Sequence, residues 1–366
     1  MTQQIQKPIG TLIEDLDTPA FVLSLENLQQ NITVIHSLFS RIGLALRPQI
    51  GFHGCPDIAR LQMEAENTSR GICTMTLSEA EVFSQHGFND FLIASKVVSR
   101  GKIIRTGELA QHAHVTLPVD DLVNVEELSK FATERDFNLD ILVEICDSRE
   151  SSGVVSGEPA VNLAKRVAEA KGLHFRGLLQ RDSHPGSKSE IQGKPSFLKQ
   201  LNSTLETIEL IENSGLTVEV MSVESDYQFD TAIACPRVTE VIMGAYVLTN
   251  RAIVNEGVQQ AAYVLATVTS RPEQQVAILD CGQKAIGSDH GLPTLQGHRG
   301  TLSSLSAEHG KWLLHEDDAD HIDLRDKVFL IPADVGSCAN LYNSIQVARN
   351  GKLEAVWNIA SRGRYY

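Results

Sequence analysis

Short apolar runs alternate with amphipathic segments between about residues 30 and 260 of the chain. The runs are rich in aliphatic and β-branched residues and have the length of buried strands. The predicted strands are residues 71–74, 90–94, 113–116, 139–144, 175–179 and 218–222. Segments 159–171 and 199–213 carry apolar residues at helical spacing, such as Ala160, Leu163 and Val167 in the first. Repeated strand–helix units predict a parallel sheet, either a closed barrel or a doubly wound open sheet.

From about Gln259 the pattern changes, because helical periodicity becomes weak and strand-like runs dominate. The runs are residues 263–269, 276–279 and 312–314, and turns that contain glycine or proline separate them. This part of the chain therefore predicts a second, β-rich domain. The acidic string Asp317–His321 within it is interpreted as a solvated turn.

Composition excludes several classes of protein. The chain has 366 residues, 42% of them hydrophobic, which is enough for a large core and two structural units. Its net charge of −14, with no basic cluster, argues against nucleic-acid binding. No run reaches the roughly 18 apolar residues of a membrane span, and the first residues lack a secretory pattern. Six cysteines without any CxxC pair predict reduced core thiols and a cytoplasmic location.

Residues 46–60 read LRPQIGFHGCPDIAR and carry the most informative motif of the chain. They resemble the first-strand signature of the D-threonine aldolase/D-serine dehydratase family, Arg-Pro-His-x-Lys-Thr-His-Lys followed by Cys-Pro-x-Ile-Ala. In that family the first lysine carries pyridoxal phosphate as a Schiff base. Arg47, Pro48 and His53 match, but the two lysine positions are Gly51 and Gly54. A Schiff base needs a primary amine, which glycine lacks.

The resemblance covers nearly the whole chain. Further matching segments are residues 17–22, 25–35, 72–83, 91–98, 280–285, 288–293, 306–310, 326–332 and 340–342. The resemblance implies the fold-type III architecture, an α/β protein with a (β/α)8 TIM barrel like that of alanine racemase plus a C-terminal β domain. It implies a barrel over residues 30–258 and a β domain formed by residues 1–29 and 259–366. Active sites of such barrels lie at the carboxyl ends of the strands.

The family's cofactor motifs are altered in this chain. The motif Glu-x-Asp-x-Gly-x-x-Arg-x-Gly keeps only its first and last residues, Glu144 and Gly153. The position of the glycine-rich phosphate loop reads Ser-Val-Glu-Ser-Asp over residues 222–226, and its carboxylates would repel a phosphate dianion. These departures predict that the chain works without pyridoxal phosphate.

Other family positions also differ. Arg181 stands at the position of the family's tyrosine and is followed by Asp182 and the retained His184. Of the metal-ligand motif Pro-x-His-x-Cys/Asp, at most Asp334 remains. A divalent metal held by Asp334 with His184 stays open as an alternative, although two ligands fall short of a stable site.

Charged and histidine residues are expected at the barrel mouth. The resemblance implies catalytic roles for His53, His184 and Asp334, and substrate contacts for Arg181, Lys96, Asp182, His290 and His309. Buried charges are costly unless they are paired or liganded. Two interpretations remain open: an ion-pair network without function, or a site for a small charged metabolite.

Three functions are compatible with these residues. The first is a lyase or isomerase that acts without pyridoxal phosphate on a small carboxylate or amino-acid-like compound. The alternative is a non-catalytic pseudoenzyme that binds a metabolite or pairs with an active paralogue. The third, an ordinary aldolase or dehydratase, requires Lys96 to carry the cofactor. The resemblance also predicts a homodimer and a small-molecule substrate, and the composition predicts no nucleic-acid or membrane partner.

Overall fold

The structure is a computed structural model, and it describes residues 7–65, 70–146, 152–181, 190–226, 228–248 and 257–366, with only the backbone for residues 190–195. The chain forms two compact units. The barrel unit consists of Thr33–Gly51, Ala59–Gly244 and Arg364–Tyr366. The mixed-sheet unit consists of Met1–Ile32, Phe52–Ile58 and Ala245–Gly363. This division differs from the sequence-based boundaries at residues 30–32, 245–258 and 364–366, and at the short segment Phe52–Ile58.

Strands and helices alternate in the first two thirds of the chain. The strands are β1 (Ala20–Ser24), β2 (Ala45–Pro48), β3 (Ile72–Thr74), β4 (Asp90–Ile93), β5 (His114–Val119), β6 (Leu139–Cys146), β7 (Val154–Val155), β8 (Leu173–Arg181), β9 (Val220–Glu224), β10 (Glu240–Met243), β11 (Ala262–Glu273), β12 (Val276–Leu279), β13 (Thr294–Leu295), β14 (Gly300–Leu305), β15 (Gly310–Leu314), β16 (Lys327–Ile331), β17 (Ser344–Arg349) and β18 (Lys352–Asn358). The α-helices are α1 (Leu25–Ile42), α2 (Pro56–Glu64), α3 (Leu77–Gln85), α4 (Arg100–Ala110), α5 (Leu122–Arg135), α6 (Glu158–Glu169), α7 (Glu190–Asn213), α8 (Phe229–Ile233), α9 (Gln283–Ile286), α10 (Glu316–Ala319) and α11 (Val335–Ala339).

The barrel unit is a nearly closed parallel barrel. Its strands follow the order β2-β10-β9-β8-β6-β5-β4-β3, and a parallel bridge between Gln49 and Cys73 brings the two ends of this order together. Every residue of β6 is buried, as is typical of a central parallel strand. The barrel interior contains one apolar layer, formed by Cys73, Leu92, Ala94, Leu142, Leu179 and Ile242. The predicted (β/α)8 barrel is confirmed.

The mixed-sheet unit contains the second sheet. Its strands follow the order β14-β15-β12-β11-β1-β17-β18, with β13 and β16 attached beside β11. Strand β1 pairs antiparallel with β11 and parallel with β17, so the N-terminal strand belongs to this β domain as the resemblance implied. Within the described part of the chain, none of the helices has the length and apolarity that crossing a bilayer requires.

Candidate active site at the carboxyl ends of the barrel strands

Five charged side chains meet at the carboxyl ends of the barrel strands. They are Lys96 after β4, Asp120 after β5, Glu144 on β6, Arg181 at the end of β8 and Glu224 at the end of β9. Strand side chains alternate between the two faces, and Lys96, Glu144 and Arg181 each come two residues after a member of the apolar layer, Ala94, Leu142 and Leu179. We call the five charged side chains the strand-end cluster. It lies where barrel enzymes place their catalytic groups.

Glu144 is the centre of this cluster. Its carboxylate is almost fully buried, at 1% exposure. Lys96 Nζ lies 2.6 Å from Oε2, and Arg181 Nε lies 3.5 Å from Oε1. The hydroxyl of Ser152 donates a hydrogen bond of 2.8 Å to Oε1. Removing a carboxylate from water is costly, and these contacts offset that cost.

Arg181 links two carboxylates and a backbone carbonyl. Its NH1 lies 3.2 Å from Glu224 Oε2, and its NH2 donates to the carbonyl oxygen of Ala94. Burial alone lowers the pKa of the guanidinium, but the carboxylates of Glu224 and Glu144 outweigh burial and raise it. The planar guanidinium is therefore a fixed cation, suited to a carboxylate ligand.

Asp120 is the member of the cluster that the sequence analysis missed. Its Oδ2 lies 3.2 Å from Lys96 Nζ and accepts a hydrogen bond of 2.9 Å from the amide of Gly153. An acidic residue directly after the apolar run 115–119 was the available signal. With Asp120 included, two cations face three carboxylates, so the cluster carries one excess negative charge.

The position of the family's phosphate loop is filled by internal contacts. Glu224 pairs with Arg181, and Asp226 Oδ1 accepts a hydrogen bond of 2.8 Å from the amide of Gly244. A backbone amide of the type that would cradle a phosphate is therefore bonded to a carboxylate of this chain.

Gly51 and Gln49 lie at the carboxyl end of β2. A Cβ atom built on Gly51 would lie 3.1 Å from Gln49 Oε1 and 3.2 Å from Met75 Cγ. The Gln49 side chain is 8% exposed, and its Nε2 faces Met75 Sδ at 3.3 Å. Gln49 Oε1 is buried and has no hydrogen-bond partner among the described residues.

The other predicted site residues lie elsewhere in the described chain. His53 belongs to the mixed-sheet unit, where it is buried and its Nδ1 accepts a hydrogen bond of 3.0 Å from the amide of Cys55. Asp334 caps α11 by accepting a hydrogen bond of 2.6 Å from the amide of Ser337. His290 and His309 are exposed residues of the same unit.

Two predicted residues, Asp182 and His184, lie outside the described residues. The metal pair of Asp334 with His184 therefore has only one described member. Across the described ranges, no group of three or more histidine, cysteine, aspartate or glutamate side chains could hold a metal ion.

A second layer of ion pairs lies at the amino ends of the strands. Arg47 NH1 lies 2.7 Å from Asp90 Oδ1, and its Nε lies 3.1 Å from Glu240 Oε2. His114 Nε2 lies 2.9 Å from Asp140 Oδ2. In barrels of this kind, the amino-terminal face serves stability and the carboxyl-terminal face serves chemistry. The strand-end cluster is therefore the candidate active site.

Comparison with known protein families gives two matches. Residues 23–244 match the model described as "Alanine racemase, N-terminal domain". Residues 261–348 match the model described as "Putative serine dehydratase domain".

Individual relatives align over most of the chain. D-threonine aldolase of Arthrobacter sp. is 28% identical, covering 97% of this chain and 95% of the relative. D-threo-3-hydroxyaspartate dehydratase of Delftia sp. (strain HT23) is 30% identical, covering 75% of this chain and 74% of the relative. The crystal structure of D-threonine aldolase from Filomicrobium marinum has a TM-score of 0.92 and 28% identity, covering 98% of this chain and 100% of that one.

These matches correct the prediction about the cofactor. The sequence analysis predicted no pyridoxal phosphate, but the enzymes of the matched family depend on it, so the prediction is contradicted. The error was to infer the cofactor of the whole protein from replacements at single positions, chiefly Gly51 and residues 222–226.

Pyridoxal phosphate needs a lysine amine for its Schiff base and free backbone amides for its phosphate. Gly51 supplies no amine, and the amine of Lys96 is bonded to Asp120 and Glu144. The amide of Gly244 is engaged by Asp226. The described side chains thus do not fit pyridoxal phosphate in the way that the family's lysine and phosphate loop do.

Proposed function

Since the chain belongs to the D-threonine aldolase/D-serine dehydratase family, we propose that it is a lyase of the aldolase or dehydratase type acting on a small hydroxy amino acid. The relatives' names include D-threonine and 3-hydroxyaspartate, which are the natural first candidates for substrates. Both are small zwitterions that carry a hydroxyl group beside the amino-bearing carbon.

The observation that supports this proposal most strongly is the position of Arg181. It is a half-buried, fixed cation at the carboxyl ends of the strands, and its two carboxylate partners hold the guanidinium in place. We propose that Arg181 binds the substrate carboxylate by a bidentate pair, with Lys96 adding positive charge beside it. The one excess negative charge of the cluster then favours a ligand that also carries an ammonium group.

The lyase chemistry needs a group that exchanges a proton beside the bond that breaks. His184, which follows β8, stays the predicted proton carrier, and Asp182 stays a predicted substrate contact. The roles of His53, His290, His309 and Asp334 also stay predictions, and so do the homodimer and the cytoplasmic location.

A non-catalytic binding protein is the second candidate, and one observation favours it. Lys96 and Arg181 each already contact two carboxylates of the chain, so an incoming anion has to compete with internal partners. Such a self-neutralised cluster is compatible with ligand binding at modest affinity and without turnover.

The test is an assay with D-threonine and D-threo-3-hydroxyaspartate, each with and without added pyridoxal phosphate and Mn²⁺. An aldolase releases glycine and acetaldehyde from D-threonine, whereas a dehydratase releases ammonia and 2-oxobutanoate. Either product pair, lost in Arg181→Met, supports the lyase. Calorimetric binding without product under all four conditions supports the binding protein, and absence of both binding and turnover rejects both proposals.

A further inference from the structure

Gln49 has an unusual environment for a buried side chain. Its carboxamide is more than nine-tenths buried, and its oxygen has no hydrogen-bond partner among the described residues. A buried carbonyl oxygen without a partner carries a desolvation cost that folding does not recover. Such an atom at the carboxyl end of a barrel strand indicates that something other than the described chain supplies the hydrogen bond.

The carboxamide oxygen of Gln49 lies beside Gly51. Gln49 Oε1 is 3.1 Å from the place where a side chain at position 51 would begin, and Met75 Cγ is 3.2 Å from the same place. The backbone dihedral φ at Gly51 lies outside the left-handed region, so a side chain is not excluded by backbone conformation. Because position 51 has no side chain, the side chains of Gln49 and Met75 lie next to the backbone of Gly51.

Met75 does not satisfy the amide. A thioether sulfur is a weak acceptor, and it faces Nε2 at 3.3 Å rather than the oxygen. Met75 and Gln49 also belong to the same end of the barrel as the strand-end cluster. Met75 follows β3, and the backbone N–H of Gln49 donates a hydrogen bond of 2.8 Å to the carbonyl oxygen of Met243 at the end of β10. The oxygen is therefore a neutral acceptor at the end of the barrel that also carries the charged cluster.

We infer that Gln49 is a specificity-determining residue, whose carboxamide oxygen accepts a hydrogen bond from the hydroxyl group of the bound substrate. This inference rests on the lyase or binding function proposed above. The carboxylates of the cluster match an ammonium group, whereas an uncharged amide oxygen matches a neutral O–H donor. A site built to bond a hydroxyl group discriminates strongly against the analogue that lacks it, because its own polar atom is then left unpaired.

The experiment compares Gln49→Met with wild type in two independent measurements. The first is calorimetric binding of D-threonine and of D-2-aminobutyrate, which has the same skeleton without the hydroxyl group. We expect wild type to bind D-threonine about tenfold to a hundredfold more tightly, and Gln49→Met to bind the two compounds within about threefold. The second measurement is the melting temperature of the ligand-free protein.

Gln260→Met is the matched control. Gln260 is half-buried, and its Nε2 donates a hydrogen bond of 3.2 Å to the carbonyl oxygen of Leu248 and one of 2.6 Å to that of Ala262. Its loss should lower the melting temperature and leave the preference for D-threonine unchanged. Gln49→Met removes an unpaired oxygen, so the melting temperature of the ligand-free variant should stay equal to wild type or rise.

The outcomes separate the two proposals. The inference is overturned if Gln49→Met lowers the melting temperature as much as Gln260→Met does. It is also overturned if wild type binds both compounds equally, which is the result expected if a buried water alone satisfies the oxygen. If wild type binds neither compound, the proposed substrate class fails. The melting temperatures then still decide whether Gln49 holds an unpaired acceptor kept for a ligand.

Discussion

Lys96 and Glu144 form a buried ion pair at the carboxyl end of the barrel, with Nζ 2.6 Å from Oε2. The lysine side chain is 18% exposed and the glutamate 1% exposed. Asp120 and Arg181 extend the pair into a network, because Asp120 contacts the lysine and Arg181 contacts the glutamate. Glu144 therefore contacts both cations of the network, and each cation also has a second carboxylate partner, Asp120 for Lys96 and Glu224 for Arg181.

We expect Glu144→Gln to lower the free energy of unfolding by about 1.5–3 kcal/mol, because Lys96 and Arg181 each lose one charged partner and keep Asp120 and Glu224. The double variant Lys96→Met/Glu144→Gln should cost less than the sum of the two single variants, since it removes both charges together. Urea unfolding of the four proteins measures this coupling. Additive costs would mean that the two side chains do not depend on one another.

A second expectation concerns pH. Hydrogen bonds to Asp140 and Asp90 raise the pKa of His114 to about 9, against the opposing effect of burial. His174 and Arg176 also face Asp140, and Arg47 faces Asp90. Because the folded pKa is above the unfolded one, protonated His114 contributes stability that is fully present below about pH 6.5 and is lost as the pH rises through about 9.

The effect should be small, because the His114 side chain is 51% exposed and solvent screens its ion pairs. We expect a contribution below about 1 kcal/mol, measured as the difference in urea unfolding between pH 6 and pH 10 for wild type and His114→Gln. His112→Gln is the control, since His112 is an exposed residue of the turn that precedes β5. An equal pH dependence of wild type and His114→Gln would contradict the assignment.

The sequence predicted the strands and helices of the barrel because the pattern that indicates each of them is local, whereas the closed barrel itself was implied by the family resemblance. Each strand is a short apolar run, and each helix has its own spacing, so both can be recognised without knowing what they contact. Strand limits were less accurate: the run 113–116 stopped before Pro118, whereas β5 continues through it to Val119. Proline removes one ladder hydrogen bond, and burial of the neighbouring residues offsets that loss.

The site was harder to predict because its contacts depend on which strand ends meet. The family resemblance placed Lys96, Arg181 and Glu224 at the barrel mouth. Their pairing with one another and with Glu144 and Asp120 follows from the barrel order. This order is a long-range property that no local pattern contains.

The location of His53 was likewise not predictable from its motif. The segment Phe52–Ile58 follows a barrel strand in sequence, yet it belongs to the mixed-sheet unit. There the backbone N–H of Ser361 donates a hydrogen bond of 3.2 Å to the carbonyl oxygen of Gly54, and a Cβ atom built on Gly54 would lie 2.8 Å from Ser361 Oγ. A contact over such a sequence distance leaves no signal in the residues around His53.

Gly71 provides a test of the amino-terminal ion pairs. Its φ is +101°, and a methyl group there would overlap the carboxylate of Asp90, which pairs with Arg47. We expect Gly71→Ala to lower the free energy of unfolding by about 2–4 kcal/mol, from backbone strain together with displacement of Asp90. Gly87→Ala is matched, because its φ is +92° and nothing lies within 4 Å of the added atom. Equal costs in thermal or urea unfolding would assign the whole effect to the backbone.

Arg181 provides the most direct test of substrate binding at the strand-end cluster. Removing a buried, bidentate contact to a substrate carboxylate costs about 2–5 kcal/mol of binding free energy. We therefore expect Arg181→Met to weaken calorimetric binding of D-threonine by that amount. Binding of 1-amino-2-propanol, which lacks the carboxylate, should stay nearly unchanged. The difference between the two ligands isolates the contact to the carboxylate from any general disturbance of the site.

Arg237→Met is the matched control for this comparison. Arg237 also pairs with a carboxylate, since its NH2 lies 2.6 Å from Glu212 Oε1, but both side chains are exposed. Its removal should change stability by less than about 1 kcal/mol and leave the affinity for D-threonine unchanged. If Arg181→Met lowers the melting temperature yet binds D-threonine as wild type does, Arg181 serves the internal ion network. The substrate carboxylate must then be bound by other residues.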